Sequence, residues 1–545
     1  MQPIIRCIFR AVYILIFTGS ISIAQTSHYA DSTKWVIDGQ LAPYNNLQPG
    51  DTIKLLPGVR PFIIFKNIIG TEKDPIVIQN ESGITEINSD HYFGISIRQS
   101  KHIKISGAGD PHTEYGIRIF NRKGSGLSIG DFSSFFEVEH IEVGYSEFSG
   151  IIAKTEPFCG FDRSSFLQEN TIIHDCYVHH TGTEGLYIGS SFYTGQTLQC
   201  NGSPVIVYPP LLKNVDVYNN RIEYTGWDGI QVSSAINTRI HNNRIAYDSQ
   251  EKASFQMTGI IVGGGCTGEI YSNDIRDGEG VGIFSNALGD IYIFNNKIIR
   301  PGKSETTTGA KYGMYIDESS AISGMNFHIY NNLILHARSE GIRFLCTGGS
   351  LNSIFNNIII QEASSFNNNT PVYINCIGTQ ATISNNFLST DIHSARFQNI
   401  TNDNYSLEQG SVLIDAGQLL PFNNCPYDIL GNNRIQGNRI DIGPIESSYE
   451  RNTDPTDGST DIVYPNPGVK SGKSTIIFEN PIEGWVEFRL IDFSGQIIKD
   501  LGRNFYSTGT QFLVVNNHEL QAGINYIQIV KRQHVSLIKL SIADD

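Results

Sequence analysis

The sequence is short of tryptophan (3 residues), methionine (4) and charged side chains (17%), as expected for a chain of many short strands and turns. Beyond an apolar run near its start, no segment approaches the roughly 20 apolar residues of a membrane helix, so no membrane span is expected in the mature chain. The net charge is −15. Without clustered Lys and Arg to neutralise phosphates, no nucleic-acid partner is expected. The eight cysteines contain no CxxC spacing, which argues against a structural zinc site. No GxSxG, HExxH or phosphate loop stands in a plausible setting, which disfavours serine-hydrolase, zinc-protease and nucleotide chemistry. Stretches of 3.6-residue periodicity are missing too, because Gly or Asn pairs interrupt every apolar run.

What the chain does have is repetition. A V/I-x-N-N-x-I phrase recurs at Asn219/Asn220, Asn242/Asn243, Ser272/Asn273, Asn295/Asn296, Asn331/Asn332, Asn356/Asn357 and Asn385/Asn386. A second half-unit opens on glycine: Gly185–Ile188, Gly229–Val232, Gly259–Val262, Gly282–Phe284, Gly313–Ile316 and Gly341–Phe344. Each coil therefore contributes two or more strands of about four residues, with apolar side chains inward and polar ones outward. The pattern predicts an all-β chain, a right-handed parallel β-helix solenoid whose coils bury their apolar faces against one another. The Asn pairs are read as structural, pairing turn to turn between coils and not forming a site.

Four regions are expected. Arg6 and Arg10, the apolar run Ala11–Phe17 and the small residues up to Ala24 form an export signal over 1–24. The solenoid spans 25–446. Its opening, Pro49-Gly50-Asp51 followed by Pro57-Gly58 and Pro75–Ile78, resembles the first coils of secreted, pectate-lyase-like β-helix proteins. Its close, through Asp415, Gly417, Asp428, Gly431, Asp441 and Glu446, resembles a terminal segment common to such secreted proteins. Residues 447–461 are polar and read as a linker. From Ile462 the grammar changes to alternating strands. The Tyr464-Pro465-Asn466-Pro467 opening and the final Ile538-Lys539-Leu540 strand resemble the sorting domain of the type IX secretion system, here a small β-sandwich over 462–545. The resemblance implies an address read by the secretion machinery, hence export through the periplasm to the cell surface or medium.

With Cys7 in the signal, seven cysteines remain. Cys159 and Cys200, in loops of adjoining coils, are candidates for a disulfide; Cys346 and Cys376 are expected as stacked inward thiols. An insertion from about 189 to 210 lengthens one coil, and long loops on rigid scaffolds are where binding surfaces concentrate.

Chemistry is sought before the glycine strand, where aligned coils superpose Glu184, Asp228 and, further on, Glu340. Glu184 and Asp228 are expected on consecutive coils, roughly 5 Å apart in backbone. Two such carboxylates split their pKa values and can supply acid and base for glycosidic cleavage. His180 is a further proton-transfer candidate, and His179, Tyr187, Trp227 and Gln231 an adjoining sugar-binding surface. The same column also reads as an acidic ladder facing solvent or holding a cation. A second cluster comprises Lys311, Tyr312, Tyr315, His336, Glu340 and Arg343, with Asp317 and Glu318 as oxygen ligands for calcium; it suits a uronate lyase. Trp227–Ile230 resembles a polygalacturonase strand, but that family's paired-Asp, Gly-His-Gly and Arg-Ile-Lys motifs are absent, so no mechanism transfers. The expectation is a polysaccharide-processing protein that cleaves glycosidic bonds; the alternatives are a uronate lyase and a noncatalytic glycan-binding or adhesive solenoid.

Overall fold

The computed structural model describes residues 25–543 except 304–310, 318–320, 346–350, 362–370, 378–380, 419–421, 423, 438, 450–461, 465–467, 481, 492–496 and 532–533. The proposed export signal, Glu318, Cys346, most of the linker and Pro465–Pro467 lie outside the described residues.

Three parallel sheets run the length of a right-handed β-helix, with 13, 12 and 12 strands. The first sheet runs from Ser27–Ala30 to Ala381–Ser384, the second from Gly58–Arg60 to Phe387–Ser389, and the third from Val36–Asp38 to Ile374–Ile377. Each coil thus makes three strands, because the Asn pair bends one apolar arm into two. The strand before it, such as Leu211–Tyr218, joins the first sheet, and the strand after it, Arg221–Thr225, joins the second. Inward Ile, Val and Leu residues from successive coils form one continuous buried column from Ala30 to Ile359. Fully burying each such side chain contributes about 1.5–3 kcal/mol before the entropy of ordering the chain is subtracted.

The two Asn of each pair have different duties. The first turns the corner in the left-handed region (φ 54° at Asn219, 56° at Asn242, 55° at Asn331), which Asn tolerates better than other side chains with a Cβ. The second is buried and joins a ladder. Asn220 Nδ2 donates to Asn243 Oδ1, Asn243 to Asn273 and Asn273 to Asn296, each at 3.0 Å, and the chain continues through Asn332 and Asn357 to Asn386. The structural reading of these residues holds, since they satisfy groups that a buried corner would otherwise orphan.

The Cys159–Cys200 disulfide is present. It ties the insertion, an antiparallel hairpin of Gln196–Cys200 and Ser203–Val207, to the preceding coil's loop. Cys376 stands in register with Phe344 and is half-buried, not enclosed like Cys176 and Cys266.

After Phe387–Ser389 the chain leaves the coils. Acidic residues of the closing segment cap its turns: Asp428 accepts from the N–H groups of Leu430, Asn432 and Glu446, and Asp441 from those of Asp415 and Ser447. A main-chain bond from Ile442 to Leu413 ties the segment together, and one from Gly443 to Asn356 holds it to the solenoid. Residues 462–543 form a three-stranded and a five-stranded sheet around their own core, including Ile476, Phe488 and Ile529. No helix among the described residues is long and apolar enough to cross a membrane.

Candidate functional site

In each short third-sheet strand the outer residues face the core and the middle one faces out, as in Leu186-Tyr187-Ile188. Register aligns these middle residues from coil to coil: Tyr187 with Gln231, Gln231 with Ile261, Ile261 with Phe284, Phe284 with Tyr315, and Tyr315 with Arg343. Five steps of roughly 4.8 Å make this column about 24 Å long. Tyr187, Gln231, Tyr315 and Arg343, singled out separately in sequence, thus fall on one line. Gln231 is only 3% exposed and its Oε1 has no hydrogen-bond partner.

At the Arg343 end the column is polar and aromatic. Arg343 Nη1 donates to the Tyr312 phenol at 3.0 Å and meets Glu340 Oε1 at 3.2 Å, and Asn375 Nδ2 donates to the same Glu340 oxygen. Tyr315 packs edge-on to Tyr312 at 5.4 Å between ring centres and lies 5.1 Å from Phe284. Asp317 ends the same strand as Tyr315. Its suggested partner for calcium, Glu318, lies outside the described residues. Lys311 is fully buried.

Beside the column is the corner that leads into the third sheet. The residue before each glycine is stacked by main-chain bonds: Gly150 N–H to Glu184 O, Gly185 N–H to Asp228 O and Gly229 N–H to Thr258 O, at 2.9–3.0 Å. Glu184 and Asp228 therefore sit on consecutive coils. Their surroundings differ. Glu184 accepts the Ser149 hydroxyl at 2.7 Å. Asp228 is wholly buried, and neither of its oxygens has a partner in hydrogen-bond geometry; Thr258 lies near enough to offset the effect only slightly. Burial, followed by the negative charges of Glu184 and Asp248, pushes Asp228 well above the usual carboxylate range. Asp248, also buried, is pushed up to about 7 by burial, against a 2.7 Å bond from Ser249.

Both members of the pair are enclosed, Glu184 at 4% exposure, so they do not lie open on the outer surface. Main-chain N–H groups of Ser249, Gln250 and Glu251 bond to the carbonyls of Trp227, Thr225 and Gly226, laying the start of an enlarged corner loop against the pair's own corner. Trp227 is half-buried there, its N–H bonded to the Thr183 carbonyl.

His180 is exposed in a left-handed conformation (φ 50°), stacked between Tyr145 at 5.0 Å and Tyr224 at 4.9 Å, with Tyr247 continuing the stack. Its neighbours are rings, not the carboxyl pair. Burial and adjacent His179 lower its pKa. His179 is buried, 2.9 Å from His180 between Nδ1 atoms and 3.3 Å from Glu142 Oε1.

Two features escaped sequence reasoning. Asp248 occupies a slot held by Thr225 one coil earlier, and the missing Cβ of Gly278 leaves space for its carboxyl. Glu137, Glu139 and His174, on the outer face of the first sheet, place ligand-type atoms within 4.8 Å of one another. Lys104 Nζ already lies 2.6 Å from Glu137 and 2.9 Å from Glu139, where a metal ion would bind. Irregular wording in these early coils hid the register; alternation in Glu137-Val138-Glu139 was the available signal.

Residues 212–388 match the family described as the right handed beta helix region. No curated protein matches the chain in sequence. Among solved structures the chain is similar to the pectate lyase Pel9A, at 14% identity over 78% of this chain and 97% of that one (TM-score 0.45). It is also similar to a GH136 lacto-N-biosidase from Eubacterium ramulus, at 13% identity over 67% and 68% (TM-score 0.44). A third is the enzymatically active domain of tailspike protein 2 from bacteriophage CBA120, at 10% identity over 90% and 71% (TM-score 0.35). No residue role is carried over from any of them.

Proposed function

We propose that this is an exported polysaccharide-processing protein that lays a linear glycan along the outward column of the third sheet and cleaves its glycosidic bonds with Glu184 and Asp228 at the column's margin. The supporting observation is that column: Tyr187, Gln231, Phe284, Tyr315 and Arg343 come from separate coils yet share one line, with the Tyr187, Phe284 and Tyr315 rings and the Arg343 guanidinium suited to sugar faces and hydroxyls. Asp228, whose protonated form burial favours, gives its proton to the leaving-group oxygen; Glu184 serves as nucleophile or as base toward water. Because the pair is enclosed, reaction requires the loop beginning at Ser249 to lift from the corner. His180 is assigned a supporting role at the same margin, and His179 and Trp227 shape it.

A second reading has its own observation. The Arg343 guanidinium bonded to the Tyr312 phenol pairs a cation with a proton-transfer group, as β-elimination from a uronate requires. In this reading Asp317 and Glu318 hold calcium. Incubating the mature protein with a panel of polysaccharides, while following reducing ends and the ultraviolet absorbance of unsaturated uronate, separates the readings. Reducing ends alone support hydrolysis, unsaturation supports the lyase, and neither, with binding retained, supports a noncatalytic glycan-binding surface.

Residues 1–24 are read as the export signal and 462–545 as the address taken up by the type IX secretion machinery. Deleting 462–545 then leaves the protein in the periplasm, and its undiminished appearance in the medium would refute the address.

A further inference from the structure

A cavity of about 510 Å³ lies on a different face of the solenoid, between the outside of the first sheet and the returning closing segment. Its walls include Arg239, Glu269, Tyr271 and Asn295 from the coils and Asn424 and Tyr427 from that segment. The segment is fastened on both sides of it. Phe422 packs on the rings of Tyr292, His328 and Tyr330 at 4.5–5.5 Å. Asn424 accepts from the Tyr330 phenol at 2.7 Å and donates to Glu269 at 2.9 Å, and the Tyr427 carbonyl accepts from Asn295 Nδ2 at 2.9 Å. The space is thus pre-formed, and its size lies within the range of small-ligand sites, roughly 300–1,000 Å³.

The polar groups of the wall indicate what fits. Arg239 is paired with Asp216 and Asp428 spends its oxygens on turn N–H groups, whereas Glu269 keeps a carboxylate in the wall with the Asn424 amide as its donor, which disfavours an anionic ligand. Behind the wall, Asn295 Nδ2 donates to the Tyr427 carbonyl and fixes the main chain that carries the Tyr427 ring. Tyr427 is 56% exposed and offers that ring to the cavity. Burial pushes the Tyr271 phenol up to about 12, so it stays neutral, able to donate and accept. We infer that this cavity binds a short neutral oligosaccharide, separately from the third-sheet column, with Tyr427 as its ring platform.

The inference does not depend on the carboxyl pair, and its test reads binding, not turnover. Saturation-transfer NMR on the full mature chain would use cellotriose, xylotriose, mannotriose, laminaritriose and maltotriose, with tri-galacturonate as the charged comparison. At least one neutral trisaccharide should bind, about tenfold more weakly in Tyr427→Ala and nearly unchanged in Tyr427→Phe, which keeps the ring. Tyr315→Ala, in the other column, should leave this binding intact. The Asn295–Tyr427 bond uses main chain, so Tyr427→Ala should retain its thermal transition. The proposal is overturned if no neutral trisaccharide binds, if Tyr427→Ala binds normally, or if Tyr315→Ala is the variant that loses binding.

Discussion

Glu184 and Asp228 hold the same slot on adjacent coils, locked by the 3.0 Å bond from the Gly185 N–H to the Asp228 carbonyl. Equal slots have unequal environments, because a hydroxyl from the preceding coil reaches Glu184 whereas nothing in hydrogen-bond geometry reaches Asp228. A neutral carboxylic acid is close in shape to an amide, so Asp228→Asn should preserve or raise stability while lowering turnover at least about 100-fold, the scale of a lost general acid. Glu184→Gln should do the same to turnover. Full activity in either variant, measured by reducing ends on a polysaccharide the parent degrades, removes the pair from catalysis.

The same burial makes stability depend on pH, with a sign that can be worked out. Asp228 is raised well above its usual range, Asp248 to about 7, Asp441 to about 6 and Glu446 to about 9, burial being the largest cause in each. Above about pH 4 these four groups hold more protons in the folded chain than in the unfolded one and make stability fall as pH rises, while His328, lowered to about 4 by burial, opposes them between about pH 4 and 6.5. Glu137, pulled down to about 2 first by its bond to His174, acts oppositely, and its contribution is lost as pH falls from about 4.5 through 2. The thermal midpoint should peak near pH 4–5 and decline steadily toward pH 9. For Asp248 alone the shift of about three units corresponds to as much as about 4 kcal/mol, so Asp248→Asn should flatten the curve between about pH 4 and 7. A midpoint that rises from pH 5 to 9 contradicts this assignment.

Tyr315 lies near the Arg343 end of the column, with Phe284 on one side, Arg343 on the other, the Tyr312 ring edge-on to it and its own ring half-exposed. An aromatic contact contributes about 0.5–1.5 kcal/mol beyond the area it buries, and 1.4 kcal/mol is tenfold in affinity. Tyr315→Ala should raise KM for the polysaccharide about tenfold and leave kcat within about twofold, because Tyr315 touches the chain and not the reacting bond. An unchanged KM would mean that the glycan does not follow this face.

The solenoid was legible because its cause is local and repeated: an Asn-Asn or Ser-Asn corner recurs in coil after coil between residues 217 and 388, and a glycine at the strand entry accompanies most of them. The register of Glu184 on Asp228 followed from the same count. What one coil's wording cannot reveal is enclosure. Whether a corner residue meets water depends on the loops of its neighbours, and the loop beginning at Ser249 arrives from the next coil along. Asp248 was missed for a related reason, since it fills space left by Gly278 one coil further on and breaks the pattern of its own column. The first-sheet cavity depends on residues more than 100 positions apart, such as Asn295 and Tyr427, which no repeat relates.

The division of labour at each corner gives a test in which two asparagines on successive coils, one at each corner position, should behave differently. Asn273 is buried in the ladder: its Oδ1 accepts from both the N–H and the Nδ2 of Asn243, and its own Nδ2 donates to Asn296 and to the Ile240 carbonyl. Removing the side chain orphans several buried groups at about 1–3 kcal/mol each, partly relieved by relaxation, so Asn273→Ala should lose about 3–5 kcal/mol in urea unfolding. Asn242, by contrast, is at the surface, and what its position demands is the left-handed backbone at φ 56°. Glycine takes that conformation freely, so Asn242→Gly should cost less than about 1 kcal/mol, with the urea slope unchanged in both variants. Equal losses at the two positions would mean that the corner conformation, and not the amide ladder, holds successive coils together.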